Sequence, residues 1–166
     1  MMRTLEILGL GAHELQIIAE VVVAMVLGGV IGYEREEADK PAGLRTHMLV
    51  AAAAALFVGL GTLIVPQFLE QLPNSDAVRS DPIRLFEAII TGVSFLGAGT
   101  IIFHHGTERV EGITTAASLL MTAAIGATIG LAEWGLGIAL TALVFLVLHL
   151  MARFKPHSGS DKGDRR

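Results

Sequence analysis

Between Glu34 and Lys40 the sequence reads Glu-Arg-Glu-Glu-Ala-Asp-Lys, four carboxylates and two cations directly behind an apolar run. Carboxylate oxygens suit Mg²⁺, and one or two of them with retained waters are enough for weak binding. Glu34, Glu36, Glu37 and Asp39 are therefore the candidate metal ligands. The same residues also fit a solvated charged turn. Glu36 and Lys40 are four apart, a spacing that supports a helix running on until Pro41 and Gly43 end it. Glu34, Arg35 and Arg45 are the candidate functional residues of this loop. Glu34 and Arg45 stand at the boundaries of apolar segments, where an ion pair between them would lock the loop.

Two further acids, Glu20 and Glu87, lie inside apolar segments near one end. An ionisable group within a membrane span costs ~2.5–3.5 kcal/mol at the centre and less near the edge, so it faces protein, water or the interface. Arg84, three residues before Glu87, is a possible partner on one helix face. His47 and His149 read as packed or interfacial, and His104-His105 have no second cluster at metal-ligand spacing. Ser94 stands within a span as an intramembrane nucleophile would, but a dyad needs a geometry that spacing does not supply. No enzyme and no bound cofactor is expected. There is no cysteine, so thiol chemistry and disulfides are excluded.

These residues must be positioned by elements that suit a bilayer. Of the 166 residues, 52% are hydrophobic and 17% charged, which leaves too little polar surface for a water-exposed particle. Five apolar segments, at about 15–33, 46–65, 85–103, 113–132 and 135–151, approach the ~20 residues that cross a hydrocarbon core. They lack period-two alternation and are rich in Ala and Leu, so they read as helices. The expected architecture is all-α: an N-terminal tail (1–14), a five-helix transmembrane domain (15–153) and a polar, disordered tail (154–166). The first 14 residues lack a cleavage site of the signal-peptide kind. Pro66, Pro73 and Asn74-Ser75-Asp76 predict an irregular second loop, and Glu133-Trp134 a tight hairpin with Trp134 at the interface. The net charge of −4 and the scattered basic residues argue against nucleic acid.

The chain also repeats itself. A shift of 69 positions aligns Leu27-Gly28-Gly29 with Leu96-Gly97-Ala98, Gly43 with Gly112, Thr46 with Thr115, and Gly61 with Gly130. Two copies of a two-helix unit then run in the same direction through the membrane. With five spans, nine Lys and Arg fall on one side and three on the other. The positive-inside rule places the N-terminus outside and the C-terminus in the cytoplasm. Gly28, Gly29, Gly32, Gly97, Gly99, Gly126 and Gly130 let helix backbones approach closely, within one protomer or at a homo-oligomer seam.

At Gly28-Gly29-Val30-Ile31-Gly32-Tyr33-Glu34-Arg35-Glu36, Ala42-Gly43-Leu44-Arg45-Thr46-His47, Phe95-Leu96-Gly97-Ala98-Gly99-Thr100-Ile101 and Gly112-Ile113-Thr114-Thr115-Ala116-Ala117-Ser118, the sequence resembles the MgtC/SapB family of bacterial inner-membrane proteins. The resemblance covers most of residues 20–132. It implies a small helical membrane protein linked to magnesium homeostasis and stress adaptation. Some relatives are described as magnesium transporters, others as regulators of membrane machines such as the F-type ATP synthase. Many relatives end in a cytosolic domain of the ACT-like kind, and functions residing there are not expected of this chain. Ala88, Ser94 and Leu120 stand where the family often has Gln, Gly and Trp. The expectation is a regulator that binds other membrane proteins, with transport of Mg²⁺ or another cation, by an oligomer if need be, as the alternative.

Overall fold

The structure, a computed structural model, describes residues 11–71, 82–102 and 112–153. They form five helices and, among the described residues, no strand: α1 (Ala12–Glu37), α2 (Leu44–Gln71), α3 (Pro82–Ile102), α4 (Ile113–Gly130) and α5 (Trp134–Arg153). Four of them, over Ala12–Glu37, Leu44–Pro66, Ile83–Ile101 and Ile113–Gly130, are long and apolar enough to cross a membrane. The apolar part of α5, Trp134–Leu150, is shorter and stands near the lower limit for a span. In lipid the backbone has to satisfy itself, which selects helix throughout.

The helix ends depart from the sequence expectation at several places. α1 already begins at Ala12, within the expected tail. α2 continues through Pro66 to Gln71, although a loop was expected from Pro66. A proline removes only one helical donor, and the apolar run around it favours continuing the helix. Residues 72–81 of the expected irregular loop, the histidines at 104 and 105, and the tail from 154 onward lie outside the described residues.

α1 and α4 both end in the same cap. The backbone N–H of Lys40 donates to Arg35 O and that of Asp39 to Glu36 O, while Asp39 takes a left-handed φ of 53°. At α4, Glu133 donates to Thr128 O and Ala132 to Ile129 O, with Ala132 at φ 60°. This is the Schellman arrangement, which satisfies orphan carbonyls at the expense of one left-handed residue. It ends α1 at Glu37, so Lys40 does not form the last helical turn that its spacing from Glu36 predicts.

α1 and α2 form an antiparallel hairpin, and α4 lies beside α2 in parallel. A β-carbon at Gly28 would sit 2.6 Å from His47 O, and one at Gly32 2.7 Å from Leu44 Cα. At Gly130 it would sit 2.6 Å from Ala55 O, and at Gly126 it would fall on the backbone of Ala51. Such close approach is what helix association in lipid requires, because there van der Waals contact replaces hydrophobic drive. Ala24, Ala51, Ala55 and Ile129 are fully buried where the three helices meet. α5 turns back along α4 and also packs on α1, with Gly137 receiving Ile129 and facing Leu27.

The repeat is visible in the packing. Gly28 meets His47, and their counterparts 69 positions on, Gly97 and Ala116, also meet: a β-carbon at Gly97 would lie 3.1 Å from Ala116 Cβ. Gly43 and Gly112 open α2 and α4, and each carbonyl accepts the N–H four residues on, from His47 and Ala116 respectively. Gly112 has a φ of 98°, and a β-carbon there would lie 2.8 Å from Thr100 O. The copies differ in their surroundings. α1 is enclosed by α2, α4 and α5, whereas α3 leans mainly on α4 and leaves Phe95 80% exposed. Gly99, expected in packing, has nothing within 4 Å.

Candidate functional site

Polar side chains collect at the two ends of the bundle. At the end holding the α1–α2 loop, Glu34 and Arg35 are 7% and 4% exposed. Arg35 Nε donates to Glu34 Oε2 at 2.5 Å and Nη2 to Oε1 at 2.7 Å. Adjacent residues on a helix ordinarily point apart. Here burial turns them toward each other, since an unpaired charge in this position costs several kcal/mol. The sequence paired Glu34 with Arg45 instead. Arg45 is exposed, and Glu34 is taken by its neighbour.

His47, fully buried, extends this polar group into the core. Its Nδ1 lies 2.9 Å from Gly43 O, which can only accept, so Nδ1 carries hydrogen. Its Nε2 lies 3.1 Å from Ser118 Oγ. The Ser118 hydroxyl is also 2.8 Å from Thr115 O, so its single hydrogen serves either that carbonyl or a neutral His47 ring. Thr122 donates to Ser118 O at 2.8 Å. The serine that meets a histidine is thus Ser118, while Ser94 is exposed on α3. Sequence reasoning overlooked Ser118. Its signal was the spacing of Thr115, Ser118 and Thr122, which places three hydroxyls on one helical face.

The expected metal ligands are not gathered. Glu36 Oε2 accepts the N–H of Leu44 at 2.7 Å and so caps the first turn of α2 from the end of α1. Glu37 accepts the hydroxyl of Tyr33 at 2.7 Å, and Asp39 is the left-handed residue of the cap. Among the described residues no three His, Asp or Glu side chains come together as a metal site. Helical rotation spreads Glu34, Glu36 and Glu37 around α1 and Asp39 falls in the cap beyond it, and this is why their closeness in sequence does not become closeness in space.

At the opposite end, Glu20 is 3% exposed and accepts a hydrogen bond from Gln16 Nε2 at 2.8 Å. It lines a cavity of about 190 Å³ together with His13, Gln16, Ile17, Thr62, Gly130, Leu131 and Ala132. Glu87 and Arg84 are both exposed on α3 and do not form the expected pair. His149 stacks on Phe145 with centroids 5.7 Å apart.

Several apolar helices long enough to cross a bilayer, close glycine contacts and polar groups held at the two ends define a multi-pass membrane protein. The chain belongs to the MgtC family, which it matches over residues 21–156. It is 38% identical over 136 residues to a protein of Escherichia coli K12 named "Putative magnesium transporter YhiD", covering 81% of this chain and 60% of that one. It is 40% identical over 133 residues to protein SrpB of Synechococcus elongatus, covering 76% and 70%. With protein MgtC of Brucella abortus it shares 43% over 107 residues, covering 64% and 39%. The chain thus spans well under the full length of these relatives. No solved structure matches it.

Proposed function

We propose that the chain is a regulator of magnesium homeostasis and stress adaptation that binds other membrane proteins through the outer face of α3. The observation that carries this reading is the exposure of α3. It is apolar enough to span, yet only 11% of its span is buried. Its uncovered residues include Arg84, Glu87, Thr91, Gly92 and Ser94. Charged and hydroxyl side chains facing lipid are costly, and small residues permit a second helix to approach, so this face is suited to being covered by protein. An F-type ATP synthase is one machine that the family resemblance offers as partner. The protein is read as residing in the inner membrane with its N-terminus outside, and the reading assigns it no catalytic step.

Cation transport is supported by the name of the YhiD relative, but the packing of a single chain does not favour it. Glu20 and Glu34 are separated by roughly 21 Å along α1 at 1.5 Å per residue. Between them lie the fully buried Ala24, Ala51 and Ala55, whereas conduction requires polar sites along the path.

The test combines a photo-reactive residue at Thr91 in living cells with a flux assay on purified protein in liposomes. A covalent adduct with a second, identified membrane protein, absent when the probe is moved to Leu143 on α5, is the expected result. Adducts only with itself, or none, would overturn the regulator reading. Saturable Mg²⁺ uptake into liposomes would establish the transporter.

A further inference from the structure

We propose that the cavity around Glu20 binds a hydrated, hard cation, an assignment that does not depend on the α3 reading. Four features of one small volume converge on it. The first is the carboxylate of Glu20, almost wholly removed from water and facing a space lined, among the described residues, by no lysine or arginine. Its Oε1 accepts a hydrogen bond from the neutral Gln16 amide, and its Oε2 has no protein partner among the described residues and is left for a cation.

The second is Thr62. Its hydroxyl donates to Gly59 O at 2.7 Å, which leaves the oxygen's lone pairs for a cation. Four residues later stands Pro66, inside α2. Proline has no N–H, so the carbonyl of Thr62 loses the helical donor that any other residue at 66 would provide. The third is the end of α4. Gly130, Leu131 and Ala132 line the cavity where the helix terminates, and a helix C-terminus carries the negative end of its dipole. The fourth is size. About 190 Å³ has room for roughly six waters at ~30 Å³ each. That is the space a cation keeping most of its hydration shell needs when one carboxylate and neutral oxygens hold it, the manner in which Mg²⁺ is commonly bound.

The sequence-level reading placed metal on the loop acids instead. Glu20 was singled out there as an intramembrane acid and not as a metal ligand, because its neighbours in space, Thr62 and the turn at 130–132, are remote in the chain.

The experiment uses the full chain in detergent, with Mn²⁺ as a spectroscopic probe and Mg²⁺, Ca²⁺ and K⁺ as competitors at constant ionic strength. Wild type should bind one Mn²⁺ per chain, displaced by Mg²⁺ and not by equal concentrations of K⁺. Glu20→Gln, which keeps the shape of the side chain, should weaken binding at least tenfold, and Glu87→Gln should leave it unchanged. Pro66→Ala guards against misreading a folding defect. It restores the donor to Thr62 O, so it should raise the melting temperature without cation while weakening Mn²⁺ binding several-fold. The proposal is overturned if wild type binds no stoichiometric Mn²⁺, if K⁺ competes as well as Mg²⁺, or if Glu20→Gln and Pro66→Ala both bind like wild type.

Discussion

Replacing one member of the Glu34–Arg35 pair should destabilise the protein far more than replacing both. At 2.5 Å and an effective dielectric constant near 20, the attraction between the charges is about 7 kcal/mol. Desolvation of each ion costs several kcal/mol, so the intact pair stands near balance. Glu34→Leu leaves a guanidinium buried without its anion, and Arg35→Met leaves the carboxylate. Each single change is expected to cost about 3–5 kcal/mol. The double variant Glu34→Leu/Arg35→Met removes both charges and should lie within about 1–2 kcal/mol of wild type. At a few degrees per kcal/mol for a chain of this size, the single variants should melt on the order of 10 °C lower. The assay is size-exclusion chromatography of fluorescently tagged protein after heating in detergent, run as a double-mutant cycle. Arg45→Ala is the control and should melt with wild type, because that side chain is exposed. Single variants as stable as wild type, or a double variant as damaged as the sum of its parts, would refute the reasoning. Growth at low magnesium adds the functional question: a double variant that accumulates normally but fails to support growth would give the pair a role beyond the fold.

Gly126→Ala puts a methyl group onto the backbone of Ala51 and should cost about 3 kcal/mol or more, at or above the top of the overpacking range, read as lost membrane accumulation; Gly99→Ala, in open space, should not. Glu36→Ala removes the cap on Leu44 N and should lower stability by about 0.5–2 kcal/mol, measured by thermal unfolding. Ala132→Gly relieves a left-handed residue and should raise stability by about 1 kcal/mol in the same measurement. Single cysteines after Lys40 and at Glu133 should label from opposite sides of the membrane, the first from the cytoplasm.

The helices were legible because lipid leaves the backbone few choices, and the glycines because close approach is written in residue size. Even the repeat could be read, since Gly28/Gly97, Gly43/Gly112, Thr46/Thr115 and Gly61/Gly130 keep one spacing. Side-chain partners were less accessible. Glu34 was matched to Arg45 because both stand at the boundaries of apolar segments, whereas burial turns Glu34 to its neighbour Arg35. The loop acids read as a cluster because one-dimensional proximity was taken for convergence, while helical rotation spreads the three glutamates around α1 and the cap carries Asp39 beyond it. Ser118 and His47, 71 residues apart, belong to different copies of the repeat, and a comparison of the copies with each other does not show what passes between them.

That exchange between copies explains why the repeat is unequal. In the first copy the residue opposite the glycine is His47, whose ring reaches across to α4; in the second it is Ala116, which reaches nowhere. The first copy therefore ties α1, α2 and α4 into a core around buried polar groups, and α5 closes it. The second copy, with a methyl group where the imidazole would be, has no such link to offer on its outer side, and α3 is left mainly against α4, with a smaller contact to α2. Placing an alanine at 47 would test this account of the asymmetry. His47→Ala removes bonds to Gly43 and Ser118 and opens a cavity beside Gly28 and Gly32, at an expected cost of about 2–4 kcal/mol from lost contacts and hydrogen bonds. If the ring is what distinguishes the copies, cross-linking between cysteines placed at Val50 and Leu119 should fall in His47→Ala, while cross-linking between Leu96 and Ala116 within the second copy should not. An equal loss at both positions would mean that the asymmetry has another origin.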